Sequence, residues 1–332
     1  MRKISVFLLL ILFIFSCPTN ITIDQNGNDQ KGITPVTPVS YNAGDTKTFS
    51  ADGLSFNVVY VPAKSFLTGT SDSGNSSVTN PYWIAENETT YEFWLKVYTW
   101  AVSNNYYFQN SGVMGDGSAS LTNKHPVTTI NWRDAIVWCN ALTEWYNEKN
   151  SASLTPVYKY SGNVIKDSTD ANATACDNAV QDTSATGFRL LSSNEWELAA
   201  RYISDANDDG DITDAGEYYP GDHASGDTTG YCYDNGYARE TLSTIFGNYA
   251  WYDGNSSSST HLVKTTSSVN ALGIYDMSGN VYEWNFDMIS TSRSMRGGSW
   301  IHAADRLQVG EPGSQLPDLI HNSIGFRISI NQ

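Results

Sequence analysis

The chain of 332 residues is poor in cysteine, in positive charge and in histidine. Its four cysteines are Cys17, Cys139, Cys176 and Cys232, so the last hundred residues hold none. This excludes a disulfide-dense scaffold and a Cys-x-x-Cys metal or redox site. It also denies those last hundred residues a thiol nucleophile. Lysine and arginine number 19 against 35 aspartates and glutamates, a formal charge of −16. Such an acidic chain repels phosphate backbones, which argues against nucleic acid as a partner. The five histidines, His125, His223, His261, His302 and His321, are never three or four residues apart. No helix can therefore carry two imidazole ligands on one face. No apolar run approaches the roughly 20 residues of a membrane-spanning helix. What is present is a hydrophobic content of 40% with only 16% charged residues, enough to bury a core in one large domain or two small ones.

The longest apolar run, Val6 to Phe15, follows Arg2-Lys3 and leads into Ser16-Cys17. A charged start, a short hydrophobic stretch and a small residue before a cysteine resemble a bacterial lipoprotein signal. Phe15 is bulkier than usual for that place, and the alternative is an ordinary secretory signal with Cys17 incidental. The expectation is removal of residues 1–16, lipidation of Cys17 and anchoring to the cell envelope, on the surface of the outer membrane. Residues 17–45, rich in Asn, Asp, Gly, Thr and Pro, read as a flexible tether, and residues 46–332 as the folded domain. In an oxidising compartment Cys176 and Cys232, both in polar stretches, could pair, although spacing does not reveal their separation.

Alternation over Leu54–Val61 predicts an early strand. A helix is expected from Thr89, capped with Glu92 and burying Tyr91, Trp94, Leu95, Tyr98 and Ala101. A second follows Asn131, with Ala135, Trp138, Cys139, Leu142 and Trp145 on one stripe, which makes Cys139 a buried thiol. A third follows Ser192, with Glu195 closing a capping box after a short strand in Gly187–Leu191. The polar insertions 147–186 and 202–245 read as surface loops.

Three blocks carry a resemblance: Gly273-Ile-Tyr-Asp-Met-Ser-Gly-Asn-Val-Tyr-Glu-Trp284, Arg296-Gly-Gly-Ser-Trp300 and Ile324-Gly-Phe-Arg327. With Pro126-Val-Thr-Thr-Ile-Asn-Trp132 and Gly187-Phe-Arg-Leu-Leu191, they resemble the formylglycine-generating enzymes, or sulfatase-modifying factors. The resemblance implies an α+β C-type lectin fold of the formylglycine-generating-enzyme type, with long loop insertions. Enzymes of that family carry two cysteines shortly after the Gly-Gly-Ser run, where this chain has His302 and Leu307. Neither side chain replaces a thiolate, so no catalytic residue and no catalytic cofactor is expected. A divergent metal-dependent oxidase is the enzymatic alternative.

Two places could hold structural calcium. The family's calcium site, carried over by resemblance, falls on Asp276, Gly279, Val281 and Glu283; the plainer reading pairs Glu283 with an arginine such as Arg296. The other is Asp205, Asn207, Asp209, Asp211 and Glu217, whose alternating oxygens and Gly210 read like an EF-hand loop. There Gly216 stands where the closing acid belongs and Glu217 comes one residue late; the alternative is a solvated acidic loop. The Gly297-Gly298 pair is expected to let a strand approach the Trp284 segment.

The segment between Trp300 and Ile324 resembles the diversified region of the variable proteins of diversity-generating retroelements, the treponemal type above all. In that class a reverse transcriptase randomises template adenines, chiefly at Asn codons. Such changes can yield Ile301, His302, Ala303, Asp305, Arg306, Gly313, Ser314, Leu316, Leu319, Ile320 and His321, but not Gln308, Glu311 or Gln315. Several large apolar residues here follow neither helical nor strand period; they form either an exposed binding surface or a satellite core tucked under the loop, and the segment alone does not choose between the two. A protein or glycan ligand is expected at 301–323, through Trp300, these residues, Pro312 and Ser323. The function read from the chain is thus a surface lipoprotein that binds a ligand through a diversified segment. The alternative is a fixed-specificity or structural envelope lipoprotein.

Overall fold

A computed structural model describes residues 39–117, 120–232 and 242–332; Cys17, the expected signal and most of the tether lie outside these. Strand β1 (Thr46–Ala51) turns into β2 (Leu54–Val61), the strand expected from the alternation. Then come β3 (Tyr82–Ala85), α1 (Tyr91–Val102), α2 (Trp132–Asn150), β4 (Phe188–Leu190) and α3 (Ser193–Arg201). The last part holds β5 (Tyr282–Ile289), β6 (Ser292–Arg296), β7 (Gly313–Gln315), β8 (Ile324–Gly325) and β9 (Ile328–Asn331). The main sheet is antiparallel throughout, in the order β1-β2-β3-β9-β4. The C-terminal strand thus lies inside the sheet, with Ile330 opposite both Trp83 and Phe188.

Both faces of that sheet are covered. Val58, Tyr60 and Trp83 point into a cluster with α1 and α2, whereas Val59, Val61 and Ile84 point into a second with α3. The period-2 geometry of a strand sends successive side chains to opposite faces, so Val58–Val61 is buried without a break. Helix α2 begins after Asn131 in a capping box with Asp134, and its stripe from Ala135 to Trp145 is buried. Trp94 and Trp138 stack at 5.6 Å, and Phe326 meets both edge-on. Helix α3 likewise has the Ser192–Glu195 capping box.

Helix α1 departs from expectation. Thr90 is its cap, accepting from Phe93 N at 3.2 Å, and the buried face is Phe93, Trp94, Val97 and Ala101, with Leu95 exposed. Thr89 is held in extended pairing instead: its N–H donates to Phe326 O and its carbonyl accepts from Val127 N, both at 2.9 Å. The first turn therefore starts one residue later and the stripe rotates with it.

The insertion at 147–186 is more than a surface loop. It forms a small antiparallel sheet from 158–160, 163–164 and 180–181, and contributes Val157, Tyr158, Ile165, Cys176 and Ala185 to the first core cluster. Residues from the second insertion, Tyr202, Ile212, Ala224 and Cys232, are buried as well. Cys176 and Cys232 do not pair; with Cys139 they are three separate buried thiols. Cys176 packs with α2 and donates to Asp167 O, whereas Cys232 belongs to a different cluster with Leu307.

Asn140 on α2 pins the first insertion down. Its Nδ2 donates to Tyr158 O (2.8 Å) and Ile165 O (2.9 Å), and its Oδ1 accepts from Val157 N (3.1 Å) and Tyr158 N (3.0 Å), all in the core. Asn140→Ala would strand three buried backbone groups, since Tyr158 O keeps Ile165 N at 3.1 Å, at about 1–3 kcal/mol each before relaxation. The expected outcome in urea unfolding is a loss of about 3 kcal/mol or more, far beyond the cavity cost of so small a truncation.

Candidate functional site

The site is built on the β5–β6 hairpin, whose sheet runs β7-β6-β5-β8 with β8 parallel to β5. Glu283 on β5 is fully buried and faces Arg327, also fully buried. Arg327 Nε and Nη2 reach the two carboxylate oxygens at 2.7 and 2.6 Å, and Trp196 Nε1 donates to the same carboxylate at 2.7 Å. Arg327 also donates to Ala85 O and Tyr275 O. Arg296, the expected partner of Glu283, pairs with Glu197 at 2.8 Å instead. The Gly297-Gly298 pair follows the strand paired with the Trp284 segment and packs against Trp196 and Leu307.

Glu88, which the sequence did not single out, sits beneath this turn and is fully buried. It accepts from Val281 N at 3.0 Å and Asn280 Nδ2 at 2.6 Å. Asp276 accepts from Lys264 N at 2.8 Å, and its second oxygen is buried without a partner. Burial raises the Asp276 carboxyl to about 6; burial, with Asp276 and Glu283 close by, pushes Glu88 well above the usual carboxylate range. Gly279 N donates to Gly297 O, so the turn is bonded across to the Gly-Gly run. Glu283 is already neutralised by Arg327, so Asp276, Gly279, Val281 and Glu283 as they stand do not fit a calcium ion. Among the described residues no three carboxylate, imidazole or thiol side chains converge as a metal-ion cage. Asp205, Asn207, Asp209, Asp211 and Glu217 lie on a loop whose base is closed by an antiparallel bridge between Tyr202 and Tyr218, and their carboxylates do not converge.

The segment after Trp300 divides into two sets. Exposed are Ile301, Arg306, Pro312, Ser314, Leu316, Ile320 and His321; half-buried are His302, Ala303, Asp305, Gly313 and Leu319. Trp300 and Ser323 are buried, contrary to their expected place on a binding surface. Trp300 O accepts from Ser256 Oγ at 2.9 Å, its N–H donates to Asn280 O, and Ser323 O accepts from Tyr282 N, so both belong to the support. Leu307, Val309 and Pro317 are buried beneath the same segment.

Tyr282 was also missed. Its ring meets His302 edge-on at 5.1 Å and lies under Gly313. Asp116 holds Asn322, and Thr129 N donates to His321 O. Two of the five histidines, His125 and His223, are buried, with Nδ1 bonded to Thr260 Oγ1 (2.9 Å) and Asp227 O (3.0 Å).

Residues 27–332, nearly the whole chain, match the sulfatase-modifying factor enzyme 1-like domain. The chain belongs to that family. It is 28% identical to chaperone protein LppX of Paenibacillus barcinonensis over 274 residues, 78% of this chain and 84% of that protein. Treponema denticola variable protein 1 aligns with a TM-score of 0.64 and 28% identity, over 86% of this chain and 99% of that one. CarF (TM-score 0.58, 24% identity, 83% and 98%) shares the fold, as does PvdO from Pseudomonas aeruginosa (0.54, 17%, 88% and 100%). The α+β fold of the formylglycine-generating-enzyme type expected from the sequence is the one observed. No helix among the described residues is long and apolar enough to cross a membrane.

At the two places where the family's enzymes carry cysteines this chain has His302 and Leu307. Leu307, in the second cysteine position, is fully buried with Ala224, Cys232, Phe246, Ala250 and Ala304. It lies so close to Gly279 and Gly298 that a Cβ on either would come within 2.8 Å of its side chain. Both glycines have positive φ, so backbone and packing together forbid larger residues there. His302, in the first cysteine position, is bonded through Nδ1 to Ser299 Oγ at 2.6 Å.

Removing one partner of a buried ion pair leaves an uncompensated charge and costs about 3–5 kcal/mol. Arg327→Met should lose about that much in urea unfolding. Adding Glu283→Gln should recover part of it, a coupling that only a direct pair predicts.

Burial, then Arg306 and His321 nearby, lowers the His302 imidazole from its ordinary 6.5. The depressed group lends stability that is present above pH 6.5 and lost as pH falls through the lower folded value. Unfolding midpoints at pH 7.5 and 5.5 should therefore converge between wild type and His302→Gln in acid. A difference that stays constant with pH would show that His302 does not titrate in this way.

Proposed function

We propose that the chain is a surface-displayed binding lipoprotein whose 301–323 segment contacts a protein or glycan ligand and is diversified by a retroelement. The observation that carries the reading is the exposure of Ile301, Leu316 and Ile320, at 39%, 52% and 44%, on a segment whose underside is rigid. Large apolar groups held in water on a supported loop are characteristic of a contact surface. Arg306 and His321 lie on the same segment, so a partner meets donors as well as apolar surface.

The likeness to Treponema denticola variable protein 1 supports diversification, and the signal-like N-terminus supports a membrane anchor at the cell envelope. Packing also favours this reading. Leu307, Val309 and Pro317 are buried, and Gln308, which adenine changes in an Asn codon cannot produce, is buried too. Support and variable positions alternate along one segment, as framework and loop residues do in other rigid-scaffold binders.

Sequencing this locus in many cells of one lineage tests the reading. Substitutions should fall on exposed and half-buried codons within 301–323, sparing Leu307, Gln308, Val309 and Pro317 and also Glu311 and Gln315, with an Asn-rich near-copy of the segment nearby. An invariant segment without such a copy would sink diversification and leave a fixed-specificity envelope protein.

A further inference from the structure

The main sheet is incomplete beside β2. On one side β1 accompanies it for most of its length, from Leu54 opposite Ala51 to Val59 opposite Thr46. On the other side β3 covers only Val58 to Val61. A last bond, Glu86 N to Asn57 O at 3.1 Å, ends that ladder. The chain then departs, because Glu86 O accepts from Tyr275 N and Thr89 is bonded to Phe326 and Val127. Leu54 to Asn57 are left as an open edge within an otherwise paired strand.

Alternation along the strand fixes where the backbone of the uncovered residues points. Tyr60 N donates to Asp45 O on the β1 side, whereas Asn57 O accepts on the β3 side. Phe56 and Leu54 therefore bond toward β1, and Ser55 turns its N–H and carbonyl the other way. Ser50 and Ser55 face each other accordingly as a non-hydrogen-bonded pair, with their hydroxyls 2.7 Å apart. Among the described residues neither Ser55 N nor Ser55 O has a partner outside the sheet, and Ser55 is exposed. One residue thus presents a donor and an acceptor at strand spacing. They face a cavity of 590 Å³ lined by residues 53–57 and, on its other walls, 85–90 and 262–265.

The cavity suits a length of extended chain. Phe56 and Phe93, stacked at 4.6 Å, give it an apolar surface, and Leu262 stands on the opposite wall. The charges at its rim are already matched: Lys264 pairs with Glu86 at 2.7 Å and Lys124 with Glu92. A multiply charged ligand would have to break one of these pairs. We propose that the notch is a second binding site, taking an extended peptide segment of low net charge from a partner protein as an added strand beside Leu54–Asn57. The partner's backbone accepts from Ser55 N and donates to Ser55 O, while alternate side chains lie against Phe56 or toward the rim. No residue of 301–323 lines the cavity, so the site is separate from the proposed variable face.

The test incubates the full chain with a pool of blocked hexapeptides that alternate Val, Ile or Phe with Thr, Ser, Lys or Glu. A second pool is N-methylated at alternate amides, which removes the donors a strand needs. The protein should retain peptides from the first pool and none from the second, and the retained peptides should slow exchange of the Ser55 amide at least about tenfold. Ser55→Pro removes a donor that β1 does not use, so the Phe56 amide should stay protected while retention is lost. Should Ser55→Pro fail to fold, Leu262→Trp, which fills the cavity from its exposed wall, serves in its place. Leu316→Ser should leave retention unchanged. No retention from the first pool, equal retention from both, retention undiminished in Ser55→Pro and Leu262→Trp, or loss in Leu316→Ser would overturn the proposal.

Discussion

The buried pair of Glu283 and Arg327 is the interaction around which the rest of the domain is arranged. Desolvating two charges is expensive, and the pair survives only because nearly every polar atom is used. Glu283 takes two bonds from Arg327 and one from Trp196, while Arg327 also reaches the carbonyls of Ala85 and Tyr275. Those partners come from α3, β3, the turn before β5 and the chain's last strands. One ion pair therefore joins the main sheet to the sheet that carries the candidate face. It also bears on the charge balance, since Arg327 acts on the buried carboxyls of Glu88 and Asp276, the latter with Lys264.

The 300–323 segment separates packed positions from exposed ones. Trp300, Leu307, Val309, Pro317 and Ser323 carry the packing of the 300–323 segment, while Ile301, Leu316, Ile320 and His321 face water. Changes at exposed positions away from caps and buried networks usually alter stability by less than about 0.5 kcal/mol. A segment built this way tolerates many side chains on its outer positions, whatever its ligand, because the inner ones already hold its course. Tyr282 is central to that support, with its backbone N–H on Ser323 and its ring under His302 and Gly313.

Much of this was legible in the sequence. The capping boxes at Asn131–Asp134 and Ser192–Glu195 located two helices because capping and periodicity agreed. The start of α1 was misread because two adjacent threonines are equivalent as caps, and only pairing with Phe326, far along the chain, decides between them. The insertions looked like loops because the residue that buries the first, Asn140, lies in a helix and binds backbone, which leaves no compositional trace. Trp300 and Ser323 were placed on the face for the opposite reason: they flank the exposed run, and sequence proximity does not distinguish the rim of a loop from its footing. Glu88 carried no motif of its own and became visible only through Asn280 and Val281.

The loss of the family's cysteines is more than a change of two atoms. At the second position the Leu307 side chain fills the space between Gly279 and Gly298 and completes an apolar cluster that includes Cys232. At the first, His302 is turned onto Ser299 and the edge of Tyr282. Restoring a thiol at 307 would therefore open a cavity where the support of the segment is densest, and would set the sulfur among apolar side chains that keep it protonated. Packing that makes the outer surface free to vary is the same packing that closes the inner space to thiolate chemistry. On this scaffold a thiol and a packed support compete for one position, and Leu307 gives it to packing.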